Sequence, residues 1–227
     1  MHISGPIVKK RQVEGLGCKK RMEQFDLLSL VHSSRTKHGI AHADYLRYSR
    51  HNTNKIRKTK SEIQSLVFKA ERNWAFAMEC KKNSLQFPRK RFHGIKKLNR
   101  AICHSKKIIE KTSGNERENL TCIAYSLGLE GLACVERKNW EEGVKALSNS
   151  RNIYVNLQKS AQSSRHEHYL QVAIDELDPL LKYCAYQLKI KTGMQVNIQD
   201  LLDMKRSIGN SGEDDGLEFQ LNVRSCS

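Results

Sequence analysis

A chain of 227 residues with a formal net charge of +16 is long enough to bury a core of its own and basic enough to attract anions. Its three prolines and its apolar residues at helical rather than alternating spacing argue against a β-rich fold and for an all-α one. The charge is uneven. Residues 1–111 hold 27 Lys and Arg against 8 Asp and Glu, and residues 112–227 hold 13 against 16. A merely soluble surface mixes the two signs throughout, so the N-terminal half is expected to meet an anionic partner: nucleic acid, an acidic membrane or an acidic protein.

Residues 1–21 read as a basic, flexible lead-in with Gly5, Pro6, Gly15 and Gly17. Phe25, Leu28 and Val31 start a first helix that ends near Lys37, with Gly39 as its stop signal. Residues 38–60 form the next element. Wound at about 100° per residue, they put Arg47, Arg50, Asn54 and Lys58 on one face. Tyr45 and Ile56 fall on the other, with Ile63 just beyond. One face suits a core, and the other a phosphate backbone.

Residues 59–61 are a break or a continuation. Leu66, Val67, Ala70, Trp74, Ala77 and Met78 then follow the i, i+3, i+4 pattern of a core helix. Pro88 opens another, with Arg89, Lys90 and Arg91 in its first turn. Cations disfavour a helix N-terminus, and a bound phosphate would offset that. Phe92, Ile95, Leu98, Ile102 and Ile109 line its expected core side. Lys90, His93, Lys97, Arg100, His104 and Lys107 form a second basic stripe.

Ser113, Gly114 and Asn115 make a turn, followed by a helix through Leu120, Ile123, Ala124, Leu127, Gly131, Cys134 and Val135. Lys138 and Asn139 turn the chain again. Trp140 opens a helix with Val144, Leu147, Tyr154 and Leu157. Gly131 and Gly143 are small enough for two backbones to approach. With Trp140 and Leu147 they give the pattern of one degenerate tetratricopeptide unit, without a second copy at the period of about 34 residues. Tyr169, Val172, Ala173 and Leu177 continue the helical period. Asp178 and Pro179 read as the N-cap and first residue of a further helix carrying Leu180, Leu181, Cys184, Tyr186 and Leu188. Gly193 ends it, residues 197–206 suit one more short helix, and residues 209–227 read as a disordered tail. The expected organisation is thus the lead-in over 1–21, one all-helical domain of antiparallel helix pairs over 22–208, and the tail.

The seven cysteines are odd in number, irregularly spaced and without a C-x-x-C pair. That favours reduced thiols in a cytosolic or nuclear setting. Residues 1–20 have no apolar h-region of a signal peptide. The most apolar run, 120–135, is too short to span a membrane and contains Glu130. Phosphate-binding glycine loops are missing. His166 and His168, two apart, point away from each other on a helix and make a poor metal pair. Cys184 in its apolar helical setting is a core thiol rather than a nucleophile. No catalytic constellation, metal site or cofactor is expected.

Four stretches in order carry a resemblance: His38-Gly39-Ile40-Ala41-His42-Ala43-Asp44-Tyr45-Leu46-Arg47-Tyr48, Ala70-Glu71-Arg72-Asn73-Trp74-Ala75-Phe76-Ala77-Met78, Pro88-Arg89-Lys90-Arg91-Phe92-His93 and Lys182-Tyr183-Cys184-Ala185-Tyr186. Together they resemble the N-terminal RNA-binding domain of the 68-kDa protein subunit family of the signal recognition particle, over about residues 25–208. The resemblance implies an all-helical, tetratricopeptide-like module. It further implies binding to the particle's 7SL RNA and a part in targeting secretory and membrane proteins to the endoplasmic reticulum during translation. By position it assigns RNA contact to Arg47, Tyr48, Arg50, Arg57 and Lys58, and to Arg89, Lys90 and Arg91 in the proline-led turn. Lys55, Lys97 and Arg100 join these as candidates on the same basic elements.

Members of that family carry a dense arginine run after the Arg-Tyr pair, whereas this chain reads Ser49-Arg50-His51-Asn52-Thr53-Asn54. They also continue further. Their C-terminal part joins the 72-kDa subunit, an implied partner wherever such a region is present. Other particle proteins are implied partners too, and the particle receptor an indirect one, without membrane insertion. The implied location is the cytoplasm, with assembly in the nucleolus. The rival reading is a basic helical adaptor that grips an acidic peptide or protein.

Overall fold

The computed structural model describes residues 25–37, 44–161 and 163–192, and these contain seven α-helices and no strand. They are α1 Leu27–Lys37, α2 Tyr45–Lys58, α3 Glu62–Lys82, α4 Arg89–Thr112, α5 Glu116–Arg137, α6 Trp140–Lys159 and α7 Ser164–Thr192. From α2 onward each helix packs on the next, and the turns between them are short, so neighbours run antiparallel. α1 lies across the stack against α3, α5 and α7.

Local chemistry sets most boundaries. Asp44 caps α2 by accepting from the Arg47 N–H at 3.0 Å. Ser61 caps α3 by accepting from the Gln64 N–H, so residues 59–61 are a break. Asn115 caps α5 through the Glu118 N–H. Such caps each contribute about 1 kcal/mol by satisfying amides that the helix leaves open. Lys138 closes α5 in the left-handed conformation, φ 62°, and the Asn139 N–H reaches the Cys134 carbonyl at 2.9 Å.

The core runs the length of the stack. Leu27, Val31, Val67, Ala70, Ala101, Ile108 and Cys122 join α1, α3, α4 and α5. Ala124, Val144, Leu147, Tyr154, Leu170, Ile174 and Leu181 join α5, α6 and α7. The expected close approach is present at Gly131, where a Cβ would lie 2.5 Å from Leu147 Cγ. A Cβ on Gly143 would lie 3.3 Å from Cys184 Sγ, itself in a fully buried residue.

Two expectations for the helices need correction. Asp178 and Pro179 do not start a new helix; α7 runs through them. Proline inside a helix loses one hydrogen bond and costs about 3 kcal/mol. Here the buried row Ile174, Leu177, Leu181, Cys184 and Ala185 holds α7 continuous. Asp178, instead of capping, accepts from Arg151 Nε at 2.7 Å. Phe92, expected in the core, is 66% exposed, and the inward face of α4 is Gly94, Leu98, Ala101, Ser105 and Ile108. The short helix expected over 197–206, the lead-in and the tail lie outside the described residues.

Candidate nucleic-acid interface

α2 buries Tyr48, Ser49 and Asn52, with Tyr45 and Ile56 half-buried beside them. Arg47, Arg50, Asn54, Arg57 and Lys58 are exposed on the other side and Lys55 at its edge, so the helix has the two faces its sequence suggests. Within the stretch where the resemblance implies an arginine run, Ser49 and Asn52 are buried. Cations there would be buried without partners.

Tyr48, expected among the RNA contacts, is corrected by the structure. It is fully buried, and its hydroxyl donates to Glu71 Oε2 at 2.8 Å. Glu71, 1% exposed on α3, is the centre of a polar knot. Its other oxygen accepts from the Tyr125 hydroxyl at 2.7 Å. Arg35 of α1 adds two parallel bonds, Nε to Oε2 and Nη2 to Oε1, each 2.9 Å. Arg35 also donates to Glu176 of α7 at 2.8 Å and lies 4.0 Å from the centre of the Trp74 ring. One carboxylate thus ties α1, α2, α3 and α5 together, and Arg35 extends the tie to α7. Burial pulls the Arg35 pKa down, but Glu71 and Glu176 outweigh it and hold it above its ordinary value. Burial and the Glu71 charge push the Tyr48 and Tyr125 hydroxyls up, so both stay protonated donors.

The proline-led turn also divides its work. The first turn of α4 has no acid and no side-chain cap. Arg91 is half-buried, and its Nε and Nη2 both donate to the carbonyl of Glu136 in the last turn of α5. A cation there answers the partial negative end of that helix. Arg91 thus ties the start of α4 to the end of α5. Lys90 lies with Nζ 4.7 Å from the Phe87 ring centre, and Arg89 is exposed. Further along α4, Lys97 Nζ lies 4.6 Å from the Phe76 ring centre and Arg100 is exposed.

Between α2 and α4, α3 adds cations that the sequence reading passed over. Lys69 and Arg72, spaced i, i+3, are half-exposed, and Phe76 about a turn further on is exposed. Their signal was present as polar positions opposite the apolar row, but the strength of that row drew attention away. Burial lowers the pKa of His104, and the charges of Lys69, Lys107 and Arg72 lower it further. Positive groups from α3 and α4 therefore crowd one place.

The class defined so far is an all-helical stack of antiparallel helices whose N-terminal half presents a cationic face. The family model described as "RNA-binding signal recognition particle 68" matches residues 28–222, and the chain belongs to that family. It is 25% identical to the signal recognition particle subunit SRP68 of Drosophila melanogaster, over 82% of this chain and 36% of that relative. For the Caenorhabditis elegans subunit SRP68 the identity is 23%, again over 82% of this chain and 36% of the relative. The chain thus spans about a third of the length of the curated relatives it matches. The solved structure of the SRP68-RBD from Chaetomium thermophilum is 25% identical with a TM-score of 0.63, covering 76% of this chain and 97% of that one.

Proposed function

We propose that this chain binds the RNA of the signal recognition particle, 7SL RNA, through cations of α2 and α4 that are exposed or, at Lys90 and Lys97, half-exposed. These are Arg47, Arg50, Lys55, Arg57, Lys58, Arg89, Lys90, Lys97 and Arg100. It acts as a subunit of the cytoplasmic particle that targets secretory and membrane proteins to the endoplasmic reticulum, after assembly in the nucleolus. Its role is to bind and position RNA, not to catalyse a reaction. Other particle proteins are its neighbours, with the 72-kDa subunit joined through a C-terminal region of the kind the longer relatives carry. The receptor is reached through the particle.

The observation that supports this reading most is the division of α2. Its buried side holds Tyr48 against Glu71 while its outer side keeps a row of exposed cations. Arg50→Glu with Arg57→Glu is expected to abolish binding to the particle RNA, because two attractions to phosphate become two repulsions. The melting temperature should stay unchanged, since both side chains are exposed. Full affinity in a folded double variant, measured by fluorescence anisotropy with labelled RNA, would remove α2 as the binding element.

A further inference from the structure

The groove between α3 and α4 has a composition that phosphate contact alone does not explain. Lys90, Lys97 and His104 recur every seven residues along the edge of α4 that faces α3. Lys90 lies over the Phe87 ring of the connection that leads into α4, and Lys97 over the Phe76 ring of α3, at 4.7 and 4.6 Å. The rings are 55% and 37% exposed. Next along the groove the aromatic residues give way to Lys69, Arg72 and Lys107 around His104. Cations so crowded repel one another and call for an anion. Large rings left in solvent call for an apolar or planar surface. A lysine over an exposed ring is weakly held, so each ammonium can swing to a phosphate and release its ring to a base.

We propose that this groove holds an unpaired segment of RNA, with bases stacked on Phe76 and Phe87 and phosphates on Lys90, Lys97 and the Lys69–Arg72–Lys107 cluster. The inference rests on the RNA-binding reading above and adds the form of RNA. Duplex RNA offers phosphates but keeps its base faces inside the stack, out of reach of a ring. An acidic peptide offers charge without a planar face. An unpaired strand offers both, and stacking on aromatic side chains is how such strands are commonly gripped.

The test uses the full chain and two probes, a single-stranded oligouridylate of about ten nucleotides and a blunt RNA duplex of equal length, titrated across a range of salt. The wild type should bind the single strand. Phe76→Ala with Phe87→Ala should weaken that binding roughly tenfold or more at every salt concentration, with the slope against salt unchanged because no ion contact is lost. Duplex binding should not change. Phe76→Trp with Phe87→Trp should retain single-strand binding, and thermal melting should show both variants folded. Wild-type affinity of the alanine variant for the single strand overturns the inference, as does an equal loss on the duplex. A wild type that binds the duplex but not the single strand overturns the stacking groove and leaves the RNA-binding reading standing. Binding to neither probe nor to the particle RNA overturns both.

Discussion

At the scale of the residue, one carboxylate accounts for much of the architecture. Glu71 accepts two phenols and a bidentate guanidinium, so its charge is buried with its hydrogen-bonding capacity used. Tyr48→Phe removes one of these donors without changing the shape of the ring. A hydrogen bond to a charged group contributes about 1.5–3 kcal/mol, and stability to urea should fall by about that much. RNA affinity of the folded protein should stay unchanged, which separates Tyr48 from its neighbour Arg47 on the same helix. Glu118 behaves differently. It is buried at the start of α5, and burial together with the charge of Asp26 pushes its carboxyl up to about 7. The sign follows from linkage: the folded state holds this proton more tightly than the unfolded chain does. Its contribution to stability is therefore fully present below about pH 4.5, the ordinary carboxyl value, and is lost as the pH rises to about 7. Glu118→Gln should flatten that part of the curve and melt higher than the wild type at pH 8, as read by thermal melts across the pH range.

At the scale of the element, α2, α3 and α5 carry side-chain caps, and every helix is held by a covered face and by close contacts with its neighbours. The face could be read in the sequence, the contact only in part, and the one N-cap read there, at Asp178, is interior to α7. Boundaries fell where Pro88, Trp140 and the 113–115 turn put them. These signals act within one turn of chain. Gly131 is the instructive contact. Its place inside a helix suggested a close approach, and the partner is the fully buried Leu147 of α6. Gly131→Ala gains helix propensity but forces Leu147 to move. Overpacking of this kind costs about 1–3 kcal/mol, so calorimetry should show a lower melting temperature. Gly114→Ala, with nothing within 4 Å of the added carbon, serves as the control. Arg91 and Pro179 show the opposite case. Both carry strong local signals, and in both the neighbouring helix decides. Arg91 answers the carbonyl of Glu136, far away in sequence. Pro179 is carried inside α7 by the buried row on either side of it.

At the scale of the whole molecule, the charge asymmetry becomes geometry. The basic half of the sequence supplies α2, α3 and α4, which stand side by side. Cations scattered over many residues of sequence are thereby carried on adjoining helices. Binding through them should depend steeply on salt. If about six phosphates are neutralised, affinity for the particle RNA should fall roughly a thousandfold between about 50 and 200 mM salt. A flat profile in a titration of labelled RNA would mean that the cationic face is not the contact surface.

Spacing, capping and charge along the chain carry the helical class, the starts of α4 and α6, the turn before α5, the two-faced character of α2 and the family to which the chain belongs. These are properties that a few neighbouring residues carry among themselves. Which members of the motifs face outward depends on packing between helices. Tyr48 and Arg91 stand in stretches that look uniformly suited to RNA, yet Glu71 takes one and the end of α5 takes the other. Lys69, Arg72 and Phe76 stand in a stretch that looks like plain core, yet the two cations are half-exposed and the ring is exposed. The physical reason is the same in each case. A buried polar group must find its partner, and a helix its covered side, among residues distant in sequence, and local periodicity does not say which of them will be there.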